Sequence, residues 1–388
     1  MAVTATHIHN QLIKWRKDVY REWRRGNFFS PYMGEGPTSI IQVTRELRDG
    51  GDVLSVPIVA ALRGPGVSTG PLTGNEEKMV NYGMRLWVDW SRNAVLLTRA
   101  QMRKSAFEQL ELVRPLLTEW GNCLLRDEIV LAFMSLPSEA PPVNLGNETT
   151  GGQRVNGILY DQATPTQLNT WANANKDRVL YGAKLSNHTG VHSTSLANVD
   201  ATDDKASAAI LLLAKRIARR ANPGITPYRE QEAKGREWFV AFCGQNAFRD
   251  LAADPVIYNA NLQARPREGD IDKNPIFSDG DLQYRGIIIR EVPEIDDFCT
   301  LVDAGATLAD VAPIFLCGQN AITVGWGQMP KPTERAEDDY GFLIGRGVES
   351  VYGLGKTYTK RDPDAAAAST ELVQWGMVTV FVASEPDA

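Results

Sequence analysis

The sequence predicts an α+β fold, and three observations carry that prediction. Apolar residues recur at helical spacing near the N-terminus and again from about Arg99 to Leu136. Between Gly50 and Thr98, two apolar strand-like arms flank a long tip rich in Gly and Pro. The remaining strands and helices follow one another without a steady βαβ rhythm, which argues against a doubly wound sheet. At 388 residues, 43% apolar and 23% charged, the chain has the composition of a globular protein of two or three domains.

The first helix rests on Ile8, Leu12, Trp15, Val19 and Trp23, one apolar stripe, with Lys14, Lys17, Arg21, Arg24 and Arg25 mostly off it and Gly26 ending it. FFSPYMGEGP reads as an extended connector, and Ile40 to Leu47 as a short helix or strand. The hairpin arms run roughly Val53 to Leu62 and Leu86 to Leu97, with a tip near Arg63 to Tyr82 that far exceeds the usual two to five residues. An isolated two-stranded hairpin is marginal in water, so this one needs a surface to lie on, and a neighbouring copy of the chain is the expected one. In the long helix that follows, Pro115 is expected to kink or split it, and Pro137, Pro141 and Pro142 close it.

Residues 138 to 200 read as an irregular insertion, with strands at Gly157 to Tyr160 and Arg178 to Leu185. A helix starts near Asp203, whose side chain is expected to cap it, and runs to Asn222. WFVAFC reads as a buried strand and NAFRDLAADP as a short helix, followed by acidic loops. Further strands are Tyr284 to Val292, Pro313 to Cys317, Ile322 to Trp326, Gly341 to Ile344, Val348 to Tyr352 and Val373 to Ala383.

Several motifs invite a chemical reading. Ser350 to Thr357 (SVYGLGKT) resembles the end of a phosphate-binding loop, but Ser350 replaces the first glycine and no amphipathic helix follows. His188 and His192 have the i, i+4 spacing of metal ligands but lie in a polar segment read as loop. Cys243-Gly-Gln-Asn-Ala247 recurs as Cys317-Gly-Gln-Asn-Ala321, which two strand ends turning at glycine explain without thiol chemistry. The acidic runs Glu268-Gly-Asp270-Ile-Asp272 and Glu337-Asp338-Asp339 lack EF-hand spacing. No catalytic, cofactor or metal site is therefore expected. No C-x-x-C pair, secretory signal or run of about 20 apolar residues is present, so a soluble, cytoplasmic product with free thiols is expected. The net charge of −6 argues against a protein that grips nucleic acid through a basic surface, though not against one that encloses it.

The order of elements, with GDVLSVPIVAALRGPGVSTGPLTGNEE (Gly51 to Glu77) followed by RKSAFEQLELVRPLLTEWGNCLLRDEI (Arg103 to Ile129), resembles the major capsid proteins of tailed bacteriophages with the Hong Kong 97-type fold, most closely the N-four-like podovirus branch. The resemblance implies an N-terminal arm (1–50), an extended hairpin loop (51–98), a peripheral domain with a spine helix (99–236, with an insertion near 138–200), an axial domain (237–330) and a return to the peripheral domain (331–388). It implies a non-enzymatic shell protein forming hexamers and pentamers around double-stranded DNA, in a virion assembled in the host cytoplasm. A separate scaffolding protein, a portal and a decoration protein are the implied partners, with no membrane. Expected contacts between copies are Trp15 and Trp23 of the arm, Val56, Ile58, Trp87 and Trp90 of the hairpin, and Gly64, Pro65, Gly66 and Gly74 of the tip. An encapsulin-like compartment and a nucleotide-binding α+β enzyme using Gly353 to Thr357 are the alternatives.

Overall fold

In the computed structural model the described residues are 25–45, 51–59, 62, 66–77, 79, 81–105, 108–146, 153–228, 237–263, 281–299, 301, 304–307, 309–335, 339–361 and 371–387. The expected N-terminal helix lies outside them. Two six-stranded sheets organise these residues. The first orders Met33–Gly34, Ile41–Thr44, Ile322–Glu334, Leu343–Lys356 and Asp89–Thr98, with Val155–Asn156 pairing the end of the Leu343–Lys356 strand. The second orders Asp281–Tyr284, Ile287–Glu291, Phe239–Cys243, Val311–Cys317, Met377–Ala383 and Val179–Tyr181.

The second sheet is buried on both faces, which is why its strands read as unbroken apolar runs. Alternate residues of Phe239–Cys243 serve different cores. Phe239, Ala241 and Cys243 meet the helix Ala208–Arg220, and Val240 and Phe242 point to the long helix Gln109–Phe133. Phe133, on the last turn of that helix, stacks on Phe315 at 5.2 Å and meets Phe29 and Phe242 at 5.8 and 5.6 Å. Trp326 and Tyr352 of the first sheet join the same cluster, so one aromatic core serves both sheets.

The long helix is tied to the first sheet by a buried ion cluster. Arg154 Nη2 lies 2.5 Å from Glu128 Oε1, and the Tyr352 hydroxyl donates to Glu128 Oε2 at 2.6 Å. Burial raises the Glu128 carboxyl above its ordinary range, and Arg154 opposes that rise.

Several expectations change. The second hairpin arm is two strands. Asn81–Trp87 pairs Val53–Val59, whereas Asp89–Thr98 pairs Leu343–Tyr352 in the first sheet, with Val88 between them. The helical stretch breaks between Arg99–Lys104 and Gln109–Phe133, and Pro115 is carried inside the second helix. Its ring deprives only the Glu111 carbonyl of a donor, and Glu111 is exposed to water. Asp203 does not cap the helix Ala208–Arg220. Asp254 does, accepting from Ala208 N at 2.8 Å. Pro255 opens a further helix, Pro255–Gln263, where loops were expected, because proline suits a first helical position. Ile41–Thr44 is a strand, and Leu343–Lys356 is one strand where two were read. The final strand, Met377–Ala383, belongs to the second sheet. It lies between Val311–Cys317 and Val179–Tyr181.

Region 138–200 holds more order than its composition implied. Pro165–Ala174 is a helix with a full capping box, Thr164 accepting from Gln167 N and the Gln167 side chain accepting from Thr164 N. His192–Ala197 is a second, shorter helix. The strands expected at Gly157 to Tyr160 and Arg178 to Leu185 are present in shorter form as Ile158–Leu159 and Val179–Tyr181.

Glu128→Ala, which leaves Arg154 buried without its carboxylate, is expected to lower unfolding free energy by about 3 kcal/mol or more. A denaturant titration showing a loss below about 1 kcal/mol would remove the ion cluster as the helix-to-sheet tie.

Candidate inter-subunit surface

The hairpin is built by strict alternation. Val53–Val59 and Asn81–Trp87 pair antiparallel from Val53↔Trp87 to Val59↔Asn81. Leu54, Val56 and Ile58 share one face with Leu86, Met84 and Tyr82, while Ser55, Pro57 and Val59 share the other with Arg85, Gly83 and Asn81. The first face packs on Tyr358, Val351 and Leu372 of the same chain.

Glycines let this face approach closely. A Cβ at Gly325 would lie 2.9 Å from Leu86 Cδ2, and one at Gly353 would lie 1.9 Å from Trp87 O, so neither strand tolerates a side chain there. Buried Asn156 then pins the hairpin's exit. Its Oδ1 accepts from Trp87 N and its Nδ2 donates to Trp87 O, both at 2.8 Å, with Leu354 O at 3.3 Å. Further out, the Tyr82 hydroxyl donates to Glu139 Oε1 at 2.6 Å, and Lys360 Nζ reaches the same oxygen at 3.2 Å. The base of the hairpin thus rests on its own chain, where a neighbouring copy was expected to support the whole of it.

The far end differs. Val59, Leu62, Leu72 and Met79 are 55%, 66%, 64% and 64% exposed, a concentration of large apolar side chains in water. Gly66 and Gly74 have φ of +73° and +86° with open space around them, so they serve turn geometry rather than packing. Asn75 N donates to Leu72 O at 3.0 Å and closes one such turn.

Of the residues expected between copies, Val56 and Ile58 are half-buried against the chain's own cluster. Trp87 is half-buried, its backbone held by Asn156 and its Nε1 without a hydrogen-bond partner. Trp90 projects from the outer strand Asp89–Thr98 and is half exposed. Trp15, Trp23, Gly64 and Pro65 lie outside the described residues. The apolar tip positions Val59, Leu62, Leu72 and Met79 were missed. The signal for Leu72 and Met79 was present, since apolar residues in a Gly- and Pro-rich loop lack a covering strand, whereas Val59 ends its strand on the outer face, paired with Asn81.

The chemical motifs resolve into structure. SVYGLGK lies within the strand Leu343–Lys356, not in a loop, so its amides are committed to sheet pairing and cradle no phosphate. Lys356 is buried with Nζ over the Trp171 ring at 5.7 Å and 3.5 Å from Gln374 Oε1, and burial depresses its ammonium to about 7. His192 hydrogen-bonds the Tyr181 hydroxyl at 2.7 Å and His188 meets Ala172 O at 3.1 Å, while burial depresses His192 to about 4. Burial pushes the Cys243 and Cys317 thiols well up and Cys299 to about 11, the opposite of nucleophilic activation. Of the two glycine turns, the first leads into the helix Gln245–Ala253, whose amide at Asn246 donates to Asp296 Oδ2 at 3.1 Å, and the second into the strand Ile322–Glu334. Among the described residues, no three His, Cys, Asp or Glu side chains are grouped to hold a metal, and no helix is long and apolar enough to cross a membrane. Glu268, Asp270, Asp272, Glu337 and Asp338 lie outside the described residues.

Residues 4–385 match the family described as phage capsid protein. The major capsid protein of Pseudomonas phage KPP25 is 23% identical over 389 aligned residues, covering 97% of this chain and 96% of its own. The capsid of cyanophage Pam1 is similar in structure over the whole of both chains, with 31% identity and a TM-score of 0.83. The capsid of Ralstonia phage GP4 matches with 19% identity and a TM-score of 0.70, covering 99% of this chain and all of the other.

Gly353→Ala should destabilise the subunit by about 2 kcal/mol, because its methyl group meets backbone rather than a movable side chain. An unchanged denaturation midpoint would show that the hairpin base is looser than described. Lys356 supplies a pH test. Its folded-state value is depressed from 10.5 to about 7, so between those values the unfolded chain binds more protons and this group makes stability rise with pH. Below about 7 both states are charged and the burial penalty is full. Lys356→Met should therefore raise the melting temperature most near pH 6, with the gain shrinking towards about pH 9. A gain independent of pH would mean that the amine is not buried as charge.

Proposed function

The chain belongs to the phage capsid protein family, and from that premise we propose that copies of it close into an icosahedral shell of hexamers and pentamers around double-stranded DNA. It is a structural shell protein with the α+β, Hong Kong 97-type fold of phage capsids. Function is then assembly rather than turnover, and the nucleotide-enzyme alternative loses its only motif to a strand interior.

The observation that carries the finer reading is the division of the hairpin into an anchored base and an apolar, exposed tip. We assign the contact with a neighbouring copy to Val59, Leu62, Leu72 and Met79, together with Gly64 and Pro65, with Gly66 and Gly74 shaping the tip and Trp90 extending the surface along the outer strand. Val56, Ile58 and Trp87 hold the hairpin at the angle from which the tip reaches out. Apolar anchors at the centre of a large contact are the usual chemistry of permanent assemblies. The unit around the first sheet and the long helix is the peripheral domain in this reading, and the unit around the second sheet is the axial one. The net charge of −6 suits a wall that encloses DNA without gripping it. A separate scaffolding protein, a portal and assembly in the host cytoplasm belong to the same proposal.

Deleting Gly64 to Gly74 is expected to leave the melting temperature nearly unchanged while abolishing closed particles in electron micrographs of the purified protein. Loss of folding would return the tip to the intramolecular core, and normal particles would remove it from the contact. Nucleic acid inside native particles distinguishes a virion head from an encapsulin-like compartment.

A further inference from the structure

Tyr340 stands wholly in water. It sits in the short turn Asp339–Gly341, on the connection between the strands Ile322–Glu334 and Leu343–Lys356. Its φ of +51° is a left-handed conformation that non-glycine residues seldom adopt, and residues held this way cluster at binding sites. Phe342, two positions on, is 43% exposed, and its carbonyl accepts from Arg99 N at 3.0 Å, which ties the turn to the end of the outer strand. Three acids, Glu337, Asp338 and Asp339, directly precede Tyr340 in the sequence. The turn is an aromatic knob on an acidic segment.

A cavity of about 820 Å³ opens where the helix Ala208–Arg220 meets the outer strand of the second sheet, Val179–Tyr181. Leu213, Arg216, Ile217 and Arg220 fall on one face of that helix and line it, so leucine and isoleucine alternate with two cations. Lys176, Arg216 and Arg220 are exposed, and among the described residues none has a carboxylate partner. The lining's one carboxylate, Asp177, is already engaged. Arg361 donates to it at 2.5 and 3.2 Å, and Asn222 N donates at 2.8 Å. Unpaired cations around an apolar floor suit a ligand with an apolar body and negative charge. A nucleic-acid backbone would use the cations and leave the floor bare.

One chain cannot bring its own knob to its own cavity. Leu343 and Lys356 are the ends of a 14-residue strand about 40 Å long. Arg361, on the cavity wall, follows Lys356 so closely that the chain can return at most about 17 Å. The knob and Arg361 therefore stay about 20 Å or more apart.

We propose that the Tyr340–Phe342 turn of one copy seats in this cavity of a second copy. The rings lie on Leu213 and Ile217, and the acids before Tyr340 meet Lys176, Arg216 and Arg220. The two surfaces differ, so each copy gives one knob and receives another, the head-to-tail geometry that closes rings when the rotation allows. Exposed aromatic side chains are the usual anchors of such contacts. The contact rests on the reading that copies of the chain associate into a shell, and it is separate from that of the hairpin tip.

Paired cysteines in the full-length protein test it. Tyr340→Cys combined with Leu185→Cys, a cavity residue 60% exposed, should give a ladder of disulfide-linked chains when the assembled protein is mildly oxidised. Peptide mapping should join position 340 of one chain to position 185 of another. Assembled chains whose introduced thiols stay free, or a bond within single chains, would overturn the contact and leave the shell reading standing. Wild-type chains that never associate would end both. Charge reversal tests the cations separately. Arg216→Glu with Arg220→Glu, and Asp338→Lys with Asp339→Lys, should each lower the particle yield about tenfold. The melting temperature of the arginine variant should not change, since exposed charges carry little stability. All four substitutions in one chain should restore the yield. A quadruple variant as poor as either parent would assign the cations to nucleic acid and overturn the proposal.

Discussion

Phe133 is the joint on which the rest of the molecule turns. It closes the long helix, stacks on Phe315 of the second sheet, and meets Phe29 and Phe242 in the same cluster that receives Trp326 and Tyr352 from the first sheet. Aromatic side chains bring both large buried area and preferred ring geometry, so such a cluster fixes orientation as well as burying surface. Because it sits at one end of the helix, it sets the direction in which the other end points. The Glu128–Arg154–Tyr352 cluster, little more than one turn earlier, sets the helix's roll against the first sheet. Sheet, helix and sheet are then one rigid frame, and the hairpin is placed relative to that frame.

The hairpin shows how one element divides its chemistry along its length. Near the frame, glycines in facing strands remove side chains so that Leu54 and Leu86 can lie against backbone. Farther out, Tyr82, Glu139 and Lys360 form a polar brace at the rim of the apolar patch. Beyond that, Val59, Leu62, Leu72 and Met79 stand more than half exposed to water. A subunit that keeps its adhesive residues on the far end of a supported arm can fold alone and associate afterwards.

The sequence disclosed this organisation unevenly. Periodicity was enough for the long helix and for the buried strands, because their burial is dictated by neighbours of uniform character. It misled at Leu86 to Leu97, where an apolar run crosses from one sheet to another at Val88. Nothing in such a run marks which strand each half will pair with. Pro115 leaves its helix unsplit because water reaches the one carbonyl it orphans, that of Glu111, which is a tertiary fact. Thr164-Pro165 with Gln167 was a readable helix start, lost within a polar stretch whose composition resembled loop. The hairpin's long Gly- and Pro-rich tip was legible in the sequence, but that Val59 faces outward followed only once Leu54, Val56 and Ile58 had been assigned to the inner face.

Asn156 and the bare surface at Gly325 have a mechanical consequence. A hairpin held by two short hydrogen bonds at Trp87, packed on Tyr358, Val351 and Leu372 and braced at Tyr82 by Glu139 is fixed along its base, and what extends beyond is carried by that base. That is the construction of a cantilever. A closed shell sets chemically identical subunits in surroundings that are not geometrically identical, around fivefold and sixfold axes alike. An arm anchored along its base, with its apolar side chains gathered at the far end, meets each of those surroundings with one set of residues.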